Sequence, residues 1–327
     1  MLSSFAKYII TNGGEIKPIL LPISELPDPT IMNPSVINVN DKLLVNIRNT
    51  NYALYHAERN VNEHIWGPLT YLHPENFMAL ATTNILCELD SDLNIINHNK
   101  IDTKALDQKP IWHFIGLEDA RLCYWDNNLF ICGVRRDTTD NGQGRMELSR
   151  VEFSSDYAKE ISRDRMPAPG DNTSYCEKNW MPILDKPYHF IKWSNPTEVV
   201  RFDPEQKTTT TVYLSDFKPF DNCGDIRGGS QVVRFENYYM ALTHEVNLYN
   251  SEAGRKDGEY YHRFVIWDDS FNIVNISDRI NFLGAKVEFS CGMCIYQDFI
   301  IVTFAFQDNA SYIIKIPKHI VKNLLSI

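Results

Sequence analysis

Apolar positions along the chain fall in short runs, alternating or continuous, rich in Val, Ile, Phe, Tyr and Trp and bounded by clusters of Asn, Asp, Gly and Pro. Such runs predict strands, because side chains alternate across a pleated sheet and β-branched or aromatic residues fit its half-buried surface. Helical periodicity is scarce. It is expected only over Lys104 to Gln108 and at the C-terminus, 318–327, where Ile320, Val321, Leu324 and Leu325 share one face.

One pattern recurs five times: a leading residue, an apolar strand, a polar turn and a second apolar strand. The copies are NPSVINVNDKLLVNIRN (33–49), LEDARLCYWDNNLFICGVRRD (117–137), EKNWMPILDKPYHFIKW (177–193), RGGSQVVRFENYYMALTHEV (227–246) and EFSCGMCIYQDFIIVTFAFQD (288–308). Their turns fall at Asn40–Asp41, Asp126–Asn128, Asp185–Pro187, Glu236–Asn237 and Gln297–Asp298. The spacing leaves room for two more strands per copy, for example within 201–214 and 261–276. The expected fold is therefore all-β, a five-bladed β-propeller with a short C-terminal helix. Residues 1–327 are read as a single domain, with 1–30 and 318–327 as closing or peripheral elements. A β-sandwich or two packed β domains is the alternative.

In a propeller the innermost strands run beside the axis and their ends meet at one mouth of the central channel. That geometry predicts convergence of Asn33, Asp119, Asn179, Ser230 or Gln231, and Glu288 or Ser290. The second strands return Arg48, Arg135, Arg136, Lys192, His244 and Asp308 to the same end, with Tyr52, Trp112, Trp180 and Trp193 nearby. Carboxylates, cations and aromatic rings in one place suit a neutral polyhydroxylated ligand together with an anion.

Composition narrows the partners. Hydrophobic residues make up 43% and aromatics 12% of 327 residues, ample for a core. The net charge of −10 argues against general binding of nucleic acid or anionic membrane, though a local basic pocket is compatible with it. Seven irregularly spaced cysteines fit reduced thiols, no leader pattern is evident, and no run approaches the roughly 18 apolar residues of a spanning helix. A cytoplasmic location is expected.

GLEDAR (116–121), the NPS start with Arg48, EKNWMP, the histidine of ALTHEV, and FSCG followed by Asp308 resemble the glycoside hydrolase family 130 propellers, which are mannoside phosphorylases and related hydrolases. The resemblance runs from about residue 30 to 316, and G-x-E-D-x-R is its most specific element. It implies Asp119 as the general acid of an inverting reaction, with Glu118 as its rival. Protonating a departing sugar oxygen favours an acid whose pKa is raised, which burial would supply and a close Arg121 would oppose. The resemblance also implies sugar contacts from Arg48, Asn179 and Asp308, and phosphate at His244; Asn33, Arg121 and Trp180 are further substrate-binding candidates from their place at the mouth. Arg135, Arg136, Lys178, Lys192 and Arg263 are further phosphate candidates, since charge-assisted hydrogen bonds hold such an anion.

Several departures leave the substrate open. Ala120 replaces the usual proline of the motif, and EKNWMP and RGGSQ differ from the commoner phosphorylase forms. The leading expectation is phosphorolysis, or hydrolysis, of a β-mannoside-like bond in an oligosaccharide or glycoside. Hydrolysis would need a carboxylate base such as Glu177, Glu245 or Asp308. The alternatives are a glycosyltransferase using a nucleotide-sugar or sugar-phosphate donor on the same cationic wall, and a non-catalytic glycan-binding propeller. No cofactor is expected, inorganic phosphate or a nucleotide-sugar entering as substrate. No metal site is expected either: Cys291 and Cys294 lack a second pair, and the histidines show no ligand spacing. No Walker, G-x-G-x-x-G or G-x-S-x-G motif occurs.

Overall fold

The computed structural model describes residues 2–22, 26, 28–57, 64–65, 67–170, 173–216 and 223–327. Each sequence repeat becomes the inner part of a four-stranded antiparallel unit. Unit 1 comprises Thr30–Val39, Lys42–Thr50, Leu80–Leu89 and Ile95–Asp102; unit 2, Leu117–Trp125, Asn128–Arg135, Arg145–Phe153 and Ala158–Met166. Unit 3 comprises Met181–Pro182, His189–Trp193, Glu198–Asp203 and Thr208–Leu214; unit 4, Val233–Phe235, Tyr238–Asn250, Lys256–Trp267 and Ile273–Ile276. Unit 5 takes Glu288–Tyr296, Phe299–Phe306 and Ala310–Pro317, and borrows its outer strand, Glu15–Pro18, from the start of the chain. The tight turns follow from their residues. Asn40 and Asp41 (φ 51° and 64°) and Asp126 and Asn127 (φ 49° and 61°) adopt successive left-handed conformations, matching the twist of the strands they join.

The cores explain why these units assemble. Ile37 and Leu86 of unit 1 pack on Leu122 and Ile131 of unit 2, and Cys132 and Leu148 of unit 2 on Phe190 and Val200 of unit 3. Ile191 and Val199 of unit 3 meet Tyr239 and Val265 of unit 4, whose Met240 and Phe264 meet Met293 and Val302 of unit 5. Finally Cys294 and Ile301 of unit 5 pack on Val36 and Val45 of unit 1, closing the ring. Each sheet thus buries both faces against its neighbours, the packing of an all-β propeller. At the axis, fully buried Gln231 places its amide nitrogen 3.0 Å from Ser35 Oγ, 3.1 Å from Val36 O and 2.7 Å from Leu122 O, and accepts from Met293 N at 3.0 Å.

Two helices flank unit 5. The C-terminal Lys318–Leu325 buries Ile320, Val321 and Leu325, as its periodicity predicts. Ser4–Thr11, not foreseen from the sequence, is capped by Ser3, whose hydroxyl accepts from Ala6 N at 3.0 Å, and seats Phe5 and Ile9 in the same core. Lys104 to Gln108 forms turns instead of the expected helix: Leu106 N donates to Thr103 O at 2.9 Å and the segment stays exposed or half-buried, with no apolar face to dock. Among the described residues no helix is long and apolar enough to cross a membrane.

Candidate active site

The mouth is built by backbone that few residues tolerate. Asn33, Asp119 and Asn179 lead the first three repeats, and all have positive φ (45°, 52° and 62°); Asp308, at the end of the fifth, has φ 46°. Asn and Asp enter this region more readily than other non-glycine residues, and such conformations gather at functional sites. In units 1 and 2 the strand register shifts beside Asn33 and Asp119, so each stands in a bulge that re-aims its side chain. Two glycines make the second bulge possible. Gly116 has φ 95° and lies against Thr82 O, and Gly133 lies under Glu118 O and the Ala120 backbone, where a Cβ would collide.

Asp119 Oδ1 accepts from Asn33 Nδ2 and from an Arg48 terminal nitrogen, both at 2.7 Å. The second Arg48 terminal nitrogen lies 3.3 Å from Glu118 Oε2 and bonds Tyr52 OH, and its Nε donates to Thr82 Oγ1 at 3.1 Å. Glu118 Oε1 lies 3.6 Å from Arg136 Nε. Thus one buried guanidinium holds both carboxylates of the E-D pair. Arg121, fully buried, turns away from the Asp119 carboxylate. It donates to Gly229 O (2.7 Å), Asp119 O (2.7 Å) and Asn179 Oδ1 (3.1 Å), tying units 2, 3 and 4 beneath the mouth.

These contacts reverse the expected acidity of Asp119. Burial alone would raise its pKa, but Arg48, Lys178, Arg121 and the Asn33 amide outweigh burial and hold the carboxyl below its ordinary range. Glu118 is raised, chiefly by burial and despite Arg48. Asp308 is raised to about 6, by burial first and then by the negative charge of Asp119, against Arg48, Tyr71 and Lys178. Its Oδ2 accepts a long, 3.3 Å hydrogen bond from Tyr71 OH. Tyr71 comes from a hairpin, Ala53–His56 paired with Leu69–Leu72, inserted within unit 1.

The cations expected around phosphate divide into two groups. Lys178 is exposed, forms no ion pair among the described residues, and acts electrostatically on Glu118, Asp119, Asp308 and His244. His244 is buried against Tyr260 (ring centroids 5.9 Å apart, stacked) and Phe289. Burial, with His262, Lys178, Arg121 and Arg227 adding to it, pushes its pKa well down, so it stands as a neutral imidazole; its Nδ1 has no hydrogen-bond partner among the described residues. The other group is engaged elsewhere. Arg135 is buried on Asp137 (3.1 Å) and Glu147 (2.6 Å), Lys192 pairs with Glu198 (2.9 Å), and Arg263 is bound by Glu245 and Ser277 O. Arg136 sits at the edge, donating to Gly142 O and Cys176 Sγ besides facing Glu118. Trp180, expected on the sugar, is fully buried between units 2 and 3, its Nε1 donating to Glu177 Oε2 at 3.0 Å.

Glu288 also leaves the expected group: it is fully buried, accepting from the backbone nitrogens of Phe282, Leu283 and Ala285. Gln231 is occupied at the axis. Sequence reasoning missed Thr82, Tyr71, Arg227 and Tyr260. Only Arg227 carried a signal, heading the fourth repeat; its backbone pairs with His244. Two cavities flank the carboxylate cluster. One of about 420 Å³ is lined by His56, Ala285, Gln307 and Asn309, beside Asp308. One of about 650 Å³ is lined by Thr82, Gly116, Leu117 and Asp137, behind Arg48. Neither is lined by Asp119 itself.

No family model matches the chain, and no curated protein matches it in sequence. Solved structures do match its fold. β-1,2-Mannobiose phosphorylase from Listeria innocua is 13% identical, with 94% of this chain and 95% of that chain covered and a TM-score of 0.55. A structure from the GH130 family of mannoside phosphorylases, described with glycoside hydrolases that target β-1,2 mannosidic linkages in Candida mannan, is 13% identical, covers 91% of each chain and scores 0.59. MPT-4, a mannose phosphorylase from Leishmania mexicana in complex with phosphate ion, is 13% identical, with 97% and 93% covered and a score of 0.51. The closed ring of four-stranded units makes the protein a β-propeller. More narrowly, it has a GH130-like fold.

Proposed function

We propose that the protein is a carbohydrate-active enzyme that cleaves a β-mannoside-like bond with inversion, using inorganic phosphate as nucleophile and Asp119 as proton donor. The observation that carries this reading is the Asn33–Asp119–Arg48 cluster, in which Asn33 and Asp119 stand on left-handed backbone at the mouth, together with Lys178, which has no ion pair among the described residues and acts electrostatically on Asp119. Asn33, Asn179, Arg48 and Asp308 offer the amide, guanidinium and carboxyl groups that bind sugar hydroxyls. Asp119 is a carboxylate in the free site, so its service as acid requires substrate to relieve the Arg48 contact and a proton to arrive. The glycosidic C–O bond then breaks as the departing oxygen takes the Asp119 proton, and a phosphate oxygen bonds the anomeric carbon from the opposite face. Lys178, Arg227 and an N–H of His244 are the donors available to that phosphate. So small a set favours one phosphate over the diphosphate of a nucleotide-sugar, because Arg135, Lys192 and Arg263 are bound to carboxylates of their own units.

The test incubates the protein with β-mannose-linked disaccharides, with and without phosphate, and separately with nucleotide-sugars. Sugar phosphate, reducing sugar and free nucleotide are assayed in each arm. Sugar 1-phosphate should form only with phosphate and fall on the order of 10²–10⁴-fold in Asp119→Asn. Equal rates in the two proteins would sink the assignment of Asp119. Reducing sugar released without phosphate would identify a hydrolase instead.

A further inference from the structure

The cavity of about 650 Å³ between units 1 and 2 has a size usual for small-molecule sites, about 300–1,000 Å³, and the proposed reaction does not use it. It sits on the core these units share: Ile101, Leu117 and Ile131 belong to that core and also line the cavity. Thr82, another wall residue, accepts from Arg48 Nε at 3.1 Å, which places the cavity one side chain behind the guanidinium that holds Asp119 and Glu118. Two buried charged side chains in the wall have incomplete bonding. Asp137, 3% exposed, accepts at Oδ2 from Gly116 N (2.8 Å) and Arg135 (3.1 Å), while its Oδ1 has no hydrogen-bond partner among the described residues. Arg135, 5% exposed, gives Nε to Glu147 Oε2 (2.6 Å) and one terminal nitrogen to Asp137, and its other terminal nitrogen makes no hydrogen bond among the described residues. A buried polar group left in this state costs stability, and a ligand that supplies the missing partner recovers that cost.

We propose that this cavity is a second ligand site, separate from the mouth, and that it takes a neutral sugar. Its wall offers an acceptor at Asp137 beside a donor at Arg135, and adjacent ring hydroxyls, each able to donate and accept, answer both. Ile101, Leu117 and Ile131 make its floor apolar, which suits the C–H face of a pyranose ring. The charges that line it balance, Lys100, Lys104 and Arg135 against Asp102, Asp107 and Asp137, so no excess of either sign favours an ion. Neither Asp137 nor Arg135 takes part in the reaction at Asp119, so the site stands or falls apart from it.

The full chain, labelled with carbon-13 at the isoleucine δ1 methyls, is titrated by NMR with mannose, glucose, cyclohexanol or inorganic phosphate, as wild type, Asp137→Asn and Asp119→Asn. In the wild type the Ile101 and Ile131 methyls should shift saturably with at least one of the two hexoses. That hexose should bind on the order of tenfold more weakly to Asp137→Asn, where an amide replaces the accepting carboxylate, and with unchanged affinity to Asp119→Asn. Cyclohexanol, a six-membered ring with one hydroxyl, should bind far more weakly than the hexose, and that comparison carries the test should Asp137→Asn fail to fold. Equal affinity of the hexose for wild type and Asp137→Asn overturns the proposal, as does cyclohexanol binding as well as the hexose. A response to phosphate and to neither hexose would mark an anion site, and one lost in Asp119→Asn alone would belong to the mouth; either overturns it, as does a wild type that responds to neither hexose.

Discussion

Three carboxyls, Glu118, Asp119 and Asp308, share their surroundings with Arg48 and Lys178, and the sign of each shift decides whether ionisation costs or contributes stability. Asp308 titrates near 6 in the folded protein and near 4 unfolded, so the native state binds the extra proton between those values. Its ionised form is therefore destabilising above pH 6, and the penalty fades as pH falls toward 4. Asp308→Asn should gain about 1–2 kcal/mol at pH 7.5, after discounting for partial exposure, and nothing at pH 4. Urea unfolding at the two pH values checks this. Asp119 has the opposite sign: its lowered pKa contributes stability above the unfolded value, lost as pH falls through the folded one. Asp119→Asn should lose about 1–3 kcal/mol at pH 7.5, because buried Arg48 keeps only the weaker Glu118 partner. An equal loss at pH 3 would contradict that cause. Asp119, Arg48 and Asn33 were legible in the sequence because hairpin ends must meet at the mouth. Which cations remain free was not, since strand alternation cannot show that Arg263 finds Glu245 on the neighbouring position of its own sheet or that Lys192 finds Glu198.

At the scale of the element, the bulge in Leu117–Trp125 converts a motif into a site. Glu118 pairs with Val134 and Arg121 with Cys132, so Asp119 and Ala120 together oppose Gly133 alone. A methyl group at Gly133 would strike Glu118 O and the Ala120 backbone, forcing the bulge outward. Gly133→Ala should cost about 1–3 kcal/mol and, by displacing Asp119, depress turnover more than its stability loss explains. Calorimetry and turnover measured well below the melting temperature separate the two effects; unchanged values of both would show that the strand pair absorbs the methyl freely. The same elements show how far the sequence could be read. Four of the five hairpins were evident because Asn, Asp, Glu or Gln at their turns accepts left-handed backbone between β-rich runs; in the third the left-handed residue is Tyr188, and its Asp185–Pro187 turn was marked by proline instead. The helix Ser4–Thr11 was hidden by the Asn12–Gly14 break that follows it, which reads as an interruption of an apolar stretch. The Tyr71 hairpin was hidden because four-residue strands carry too little alternation to register.

At the scale of the whole molecule, stability depends on closing a ring, and the closing contacts are far apart in sequence. Glu15–Pro18 pairs with Ala310–Pro317, Phe5 and Ile9 enter the core between units 4 and 5, and Gln231 joins the innermost strands of units 1, 2 and 5 to unit 4. These contacts act on different stages of closure. Gln231→Ala leaves the Met293 amide and the Leu122 carbonyl without their partner in a fully buried site, so it should cost about 2–4 kcal/mol while preserving a single cooperative transition. Removing residues 2–18 instead exposes the edge of Ala310–Pro317 and uncovers Phe304, Ile314 and Ile316 of the core. A bare apolar strand edge is a template for pairing with other chains, so this variant should melt at least several degrees lower and associate as concentration rises. Scanning calorimetry with light scattering at two concentrations tests it against Leu20→Ser, a change at a largely exposed residue just beyond the deletion. If the truncated chain melts like the wild type and stays monodisperse to the same degree, the N-terminal strand is not what closes the ring, and the packing of unit 5 on unit 1 must suffice.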